Sequence, residues 1–385
     1  MRAVDAIVIG AGQAGLSAAY HLQRLGIDFV VLDANEHPGG AWQHRWDSLT
    51  MRDVHGVADL PGMPVPDLDP TARANETVPA YFASYEAHFH LPVERPVTVT
   101  SVTPEGPSPD ALLTVDTSDG RWSTRAIVNA TGTWDTPFLP YYPGARDFTD
   151  PQFHTASYPG PEFFRGKRLV VVGGGASAVQ FIGELAGIAS GIVWVTRREP
   201  VWRTGDFDPE AGREAVAMVE DRVRRGLPPR SVVSVTGLAL RPQERRAAEM
   251  GIYEARRPMF DHVEADGVRW ADDSFERADA IVWATGFRAS IGHLTPLRLR
   301  GVSGGIQLEA PRDPHTYTTA ARDGRIHFVG YGPSASTIGA TRAGGWPRSP
   351  SATSWPADPR CALWSPRPGF SCPQVRARSR SRGRR

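Results

Sequence analysis

The residues best placed to do chemistry are two short glycine runs, Gly10-Ala11-Gly12-Gln13-Ala14-Gly15 and Gly173-Gly174-Gly175-Ala176-Ser177-Ala178. In each, the first glycine allows a tight bend and the second lets the backbone approach a pyrophosphate. The third small residue lets a helix pack closely on a strand. A helix opening at such a turn offers unpaired N–H groups and a partial positive charge to phosphates. Asp33 lies 23 residues beyond Gly10, where a carboxylate accepts hydrogen bonds from ribose hydroxyls. The matching position after Gly173 is Thr196, followed by Arg197 and Arg198. A carboxylate there would repel a 2′-phosphate, whereas guanidinium groups bind it through paired, charge-assisted hydrogen bonds. The second run therefore reads as a site for NADPH in preference to NADH. The alternative for the two arginines is a pair of solvated loop charges.

Such turns work only between a strand and a helix, and the flanking residues supply both. Residues 5–9 form a short apolar strand, 16–25 a helical segment closed by Gly26, and 29–32 a second strand. Residues 168–172, a helix running through Leu185, and residues 192–196 repeat the order. Each is a strand–turn–helix–strand unit of the length a parallel crossover needs. Further strands are expected at 98–102, 112–116, 126–130, 280–284 and 326–329. Asp208 as a side-chain cap with Pro209 behind it predicts a helix that runs to Arg225 and stops at Gly226. The fold class is α/β: two Rossmann-like dinucleotide-binding domains, the second inserted in the first. The expected boundaries are 1–155 for the first part of one domain, 156–278 for the inserted domain and 279–345 for the return segment. Residues 346–385 form an Arg/Pro/Ser-rich tail.

Composition narrows the chemistry. Of 385 residues, 41% are hydrophobic and 22% charged, as in water-soluble globular chains. The first apolar run is too short to span a bilayer and lacks the flanks of a signal peptide, so a cytoplasmic enzyme is expected. The net charge of +1 hides an asymmetry: the tail holds nine arginines and one acid, Asp358, which leaves an acidic body. Nothing in that body suits nucleic acid. Both cysteines, Cys361 and Cys372, lie in the tail. A redox-active dithiol needs an attacking and a resolving thiol together, so disulfide-reductase chemistry is excluded. The sequence contains no catalytic triad and no metal-ligand cluster. The tail lacks any period and is expected to be disordered. It reads as the product of a frameshift in a GC-rich gene, with a basic interaction tail as the alternative.

Further motifs carry a resemblance. Gly39-Gly40-Ala41-Trp42, the stretch Trp46-Asp47-Ser48-Leu49 followed by Leu60-Pro61-Gly62-Met63-Pro64-Val65-Pro66, and the segments Ala130-Thr131-Gly132 and Ala284-Thr285-Gly286-Phe287 occur in this order. Phe148, Asp150, His154 and Tyr158 match a fingerprint of phenylalanine, glycine, histidine and aromatic residue, with Asp150 in the glycine's place. Over residues 4–345 the chain resembles the flavin-containing (class B) flavoprotein monooxygenases, and in its motifs the YUCCA-type and CzcO-like FAD-NAD(P)-binding oxidoreductases. The resemblance implies FAD at the first turn, beside Gly40, Ala41, Trp42, Thr131, Gly132 and Gly330. It implies NADPH at the second turn, near Thr285 and Gly286. It also implies a reaction in which NADPH reduces FAD, O2 adds, and a peroxyflavin delivers one oxygen atom to a small N-, S- or carbonyl-containing substrate. In that family His154 supports the two domains; an ordinary buried histidine is the alternative. The chain departs from the family at Asp150, at Ala176, and at Thr50-Met51-Arg52-Asp53-Val54, which lacks the asparagine many members place near the flavin. Two other functions fit the same motifs: an NADPH oxidase or reductase, and a non-catalytic nucleotide-binding protein.

Overall fold

The computed structural model describes residues 1–54, 57–108, 111–203, 209–229, 237–238, 240–309 and 318–335. The cap at Asp208, the turn expected at 336–341 and the tail at 346–385 lie outside the described residues.

The first apolar run becomes strand β1 (Arg2–Ile9), which leads through the first glycine turn into helix α1 (Gln13–Arg24). Gly26, at φ +66°, ends the helix, and β2 (Phe29–Leu32) follows, buried throughout. Helix α2 (Ala74–Phe89) comes next, with Pro79, a residue that disfavours helix interiors, inside it. It buries Val78, Tyr81, Phe82 and Tyr85 against α1. The Tyr81 hydroxyl donates to the Met63 carbonyl at 2.6 Å and Tyr85 to that of Pro61 at 2.7 Å, which fixes the intervening loop.

Strand β3 (Val93–Glu94) lies parallel to β2. Strands β4 (Val99–Pro104), β5 (Leu113–Thr117) and β6 (Gly120–Asn129) form an antiparallel meander. The far half of β6 then runs parallel beside β1, pairing Ile127 with Ile7 and Asn129 with Ile9. After it come β7 (Gln152–His154), β8 (Arg168–Val172), helix α3 (Ala176–Leu185) and β9 (Gly191–Thr196). Helix α4 (Pro209–Arg224) ends before Gly226 at φ +67°.

Strand β10 (Arg257–Pro258) joins β9, and β11 (His262–Glu264), β12 (Gly267–Arg269) and β13 (Phe275–Arg277) make a second meander. It feeds β14 (Ala280–Trp283), after which β15 (Thr319–Ala320) and β16 (Asp323–Phe328) complete the described strands.

A mixed sheet ordered β15-β16-β6-β1-β2-β3, with β4 and β5 joined to it through β6, and a parallel sheet ordered β10-β9-β8-β14-β7 result. One placement corrects the sequence reading. The strand at 280–284 was expected to begin the return to the first domain, yet β14 pairs with β8 (Ala280 opposite Leu169) and with β7 (Trp283 opposite His154). It therefore belongs to the second sheet, which already begins with β7 at residue 152; the first sheet resumes at β15 and β16, where Ile326 pairs with Ile127. The reason is physical: a central parallel strand is apolar on both faces whichever sheet holds it, so its composition cannot name its partners. The repeat is deeper than the glycine runs suggest. In both halves an antiparallel meander delivers a parallel strand to the side of the strand that ends in the glycine turn.

Candidate functional site

Register brings the ends of four strands to one edge of the first sheet. Ile9 pairs with Leu32 and Asn129, and Asn129 with Phe328. The carboxyl ends of β1, β2, β6 and β16 thus face one crevice, the place where open α/β sheets take ligands. Gly10, at φ +96°, is tight: a Cβ there would come 2.7 Å from the Ala130 carbonyl oxygen. One on Gly15 would come 1.8 Å from that of Gly10. Gly12 is different. Its φ of −79° suits any residue, and a Cβ would meet nothing nearer than Gly40 Cα at 3.9 Å. Neither backbone strain nor packing requires glycine at this position, so the space in front of it is available to a ligand. Gly12 is also the N-cap of α1, with no capping side chain and no acid in the first turn, so the helix's first N–H groups are left for an anion.

The other residues expected here converge on the same point. Gly39 and Gly40, at φ +130° and +51°, fold the loop so that Gly40 abuts Gly12. Ala41 and Trp42 lie in the 3-10 turn Gly40–His44, and Trp42 packs against the cores of both halves. A Cβ on Gly330 would meet that of Ala14 at 3.3 Å. Gln13 anchors the loop above by donating to the Ala58 carbonyl at 2.7 Å. Asp33 is buried, accepting from Ala11 N at 3.1 Å and from Asn35 N and Nδ2 at 3.0 and 2.8 Å. Arg95 sits 3.5 Å from it and is clamped by both oxygens of Glu86 at 2.6–2.7 Å. A carboxylate offers about four lone-pair sites, and four donors already approach those of Asp33, so a ribose hydroxyl would take the place of the weakest of them, Arg95 at 3.5 Å. Arg95 was not anticipated; an arginine ahead of a proline carries no motif of its own.

The second crevice repeats this construction. Val172, Val195 and Trp283 are in register at the strand ends. Gly173, at φ +144°, would bring a Cβ within 2.2 Å of the Ala284 carbonyl oxygen, just as Gly10 meets Ala130. Gly175 matches Gly12: ordinary φ of −111°, open space around a Cβ, and N-cap of an α3 that has no capping side chain and no acid in its first turn. Ala176 and Ser177 begin that helix, and Ala178 is buried where Gly15 stands in the first turn. Arg197 and Arg198 are exposed at the end of β9. A third arginine joins them. Arg256 donates to Thr196 Oγ1 at 3.3 Å and pairs with the exposed Glu199 at 3.1 Å. The signal for it was the pairing of β10 with β9, which sequence alone does not reveal.

Between the crevices, the two Ala-Thr-Gly segments hold each other. Thr131 Oγ1 donates to the Ser290 carbonyl at 2.5 Å, and Thr285 Oγ1 to that of Phe138. Phe138 N donates to the Gly286 carbonyl at 2.9 Å, and Ser290 N to that of Gly132 at 3.0 Å. His154 is buried with both ring nitrogens engaged: Nδ1 accepts from Ala156 N at 3.1 Å, which leaves Nε2–H to donate to the Gly286 carbonyl at 2.9 Å. Burial lowers its pKa, so the neutral ring is favoured. This is a structural histidine supporting the second crossover. Trp134 and Phe287, one from each crossover, stack with ring centroids 5.0 Å apart.

Both crevices fit dinucleotides: each has a glycine that neither strain nor packing requires, a helix N-terminus with no capping side chain and the expected residue type at the second strand's end. Comparisons with known proteins agree. A family model described as pyridine nucleotide-disulphide oxidoreductase matches residues 7–212. A double mutant of a flavin monooxygenase from Stenotrophomonas maltophilia superposes with a TM-score of 0.74 at 35% identity, over 89% of this chain and 96% of that one. A CzcO-like oxidoreductase of Geobacillus kaustophilus is 32% identical over 48% of this chain and 51% of its own length. A probable indole-3-pyruvate monooxygenase of Arabidopsis thaliana is 32% identical over 45% and 42%. The chain spans about half the length of the curated relatives it matches. No helix among the described residues is long and apolar enough to cross a membrane. Matched over more than half its length by the family model, the chain belongs to the pyridine nucleotide-disulphide oxidoreductase family, and it is similar in sequence and fold to a flavin monooxygenase.

Proposed function

We propose that this chain is a cytoplasmic NADPH-dependent monooxygenase that transfers one oxygen atom of O2 to a small N-, S- or carbonyl-containing substrate. FAD is assigned to the crevice at Gly10–Gly15 and NADPH to that at Gly173–Ala178. The observation that carries the reading is the pair of ligand-ready turns at Gly12 and Gly175, joined by interlocked crossovers in a body with no cysteine before residue 361. Residues 1–360 contain no cysteine, so they offer no internal dithiol as the flavin's electron acceptor.

Bound flavin supplies the oxygen-activating chemistry, consuming one NADPH, one proton and one O2 for each oxygenated product and water. The protein's part is to bind, orient and keep the site dry. The α1 N-terminus and Gly12 hold the FAD pyrophosphate, while Asp33 takes a ribose hydroxyl. The α3 N-terminus and Gly175 hold the NADPH pyrophosphate, and Arg197, Arg198 and Arg256 surround the 2′-phosphate position. Trp42, Trp134 and Phe287 form the apolar wall at the junction.

A second reading, NADPH oxidase, is favoured by one observation. Residues 50–54 contain no asparagine, and Arg52 is exposed. Substrate-dependent incorporation of labelled oxygen supports the monooxygenase; peroxide equal to the NADPH consumed, with or without substrate, supports the oxidase.

A further inference from the structure

Arg45 follows the 3-10 turn Gly40–His44, at the junction of the two halves. Its backbone is held on both sides: the N–H donates to the Trp42 carbonyl at 3.1 Å, and the carbonyl accepts from Asn75 Nδ2 at 3.1 Å. The guanidinium carbon lies 4.4 Å from the ring centroid of Trp134 and 5.6 Å from that of Trp42. Its Nε is buried with no hydrogen-bond partner.

Three other inward-facing arginines contrast with it. Arg95 is paired with Glu86, Arg241 with Glu244 and Arg325 with Asp323. For Arg45, no carboxylate among the described residues lies within ion-pair distance. Burial pushes its pKa down to about 10 with no neighbouring charge to offset the loss of water, so it remains a cation at neutral pH. A partly desolvated guanidinium close to aromatic rings is attracted to their faces, but that attraction does not replace a counter-anion. That planar fork matches a carboxylate, and pairing relieves the cost of burial.

We propose that Arg45 selects substrates that carry a carboxylate, taking the anion on its guanidinium nitrogens beside Trp134 and Trp42. The inference deepens the monooxygenase reading and rests on it for the word substrate. The same guanidinium chemistry would also accept a phosphate oxygen of either dinucleotide, and the test separates these sources.

The experiment uses the FAD-loaded full chain and two probes of one shape, phenylacetate and its neutral amide, with binding read from tryptophan fluorescence and the flavin spectrum. Phenylacetate is expected to bind at least about tenfold more tightly than the amide. Arg45→Gln should abolish that preference, and Arg45→Lys should keep part of it. A preference absent from the parent protein, or one that survives Arg45→Gln, overturns the proposal. So does an Arg45→Gln variant that weakens NADPH binding about tenfold with phenylacetate unaffected, or one that loses FAD; either assigns the guanidinium to a nucleotide phosphate. A carboxylate preference carried by Arg45 in a protein that makes only peroxide would sink the oxygen-transfer reading alone. Oxygenation of amines or sulfides without any carboxylate preference would sink this inference alone.

Discussion

At the scale of single residues, the glycines divide into those the protein needs and those only a ligand needs. Gly10 requires its conformation and its contact with Ala130; Gly12 requires neither. Gly10→Ala should therefore destabilise the chain even without flavin, by about 1–3 kcal/mol for a side chain forced into positive φ. Gly12→Val should leave the flavin-free thermal midpoint nearly unchanged and abolish FAD retention, because its side chain occupies the pyrophosphate's place. Thermal scans with flavin content on both variants check this; equal flavin content in Gly12→Val and the parent would remove FAD from this turn. The arginines divide similarly. Replacing Arg197 and Arg198 with alanine should raise the KM for NADPH about tenfold or more and leave NADH nearly unaffected, as expected when a charged hydrogen bond contributes about 1.5–3 kcal/mol. Arg256→Ala should act in the same direction, and equal effects on both nucleotides would contradict a 2′-phosphate role.

Elements were legible where local chemistry is decisive. Both strand–turn–helix units fall where the apolar runs and glycines place them, with β2, β8 and the end of α3 at the expected residues. Legibility failed where a longer-range choice decides. Pro79 disfavours α2 locally, although packing of Tyr81 and Tyr85 sustains that helix. β14 was placed with the wrong sheet because register partners leave no trace in one strand's composition. Asp33 was legible, but its clamp by Arg95 and Glu86 depends on α2 meeting the end of β3. The return segment also carries a pH dependence that no motif announced. His327 on β16 and His293 in the turn Gly292–Leu297 are both pushed down to about 4 by burial. Between pH 6.5 and 4 the unfolded chain binds protons at these sites that the folded chain refuses, so stability present above pH 6.5 is lost as pH falls toward 4. Unfolding in this window should bind about two protons at these groups, and His327→Asn should flatten the slope. An unchanged slope in that variant would show that His327 titrates normally.

At the scale of the whole molecule, two copies of one architecture present their strand ends to a shared junction. Thr131 bonded to Ser290 and Thr285 to Phe138 lock the crossovers, and Trp134 on Phe287 closes the wall between them. This arrangement explains how the glycine runs, arginines and Ala-Thr-Gly segments, scattered between residues 10 and 287, can come together at one site. The central claim is that electrons from NADPH reach O2 through the flavin and leave one oxygen atom on a substrate. The most direct test is aerobic turnover of the FAD-loaded chain with NADPH and isotopically labelled O2, with a panel of small amines, sulfides, ketones and aromatic carboxylates. NADPH, peroxide and labelled product are counted together. The account predicts label in at least one product, with less peroxide formed than NADPH consumed whenever that substrate is present. Peroxide equal to NADPH under every condition, with no label in any product, would contradict it.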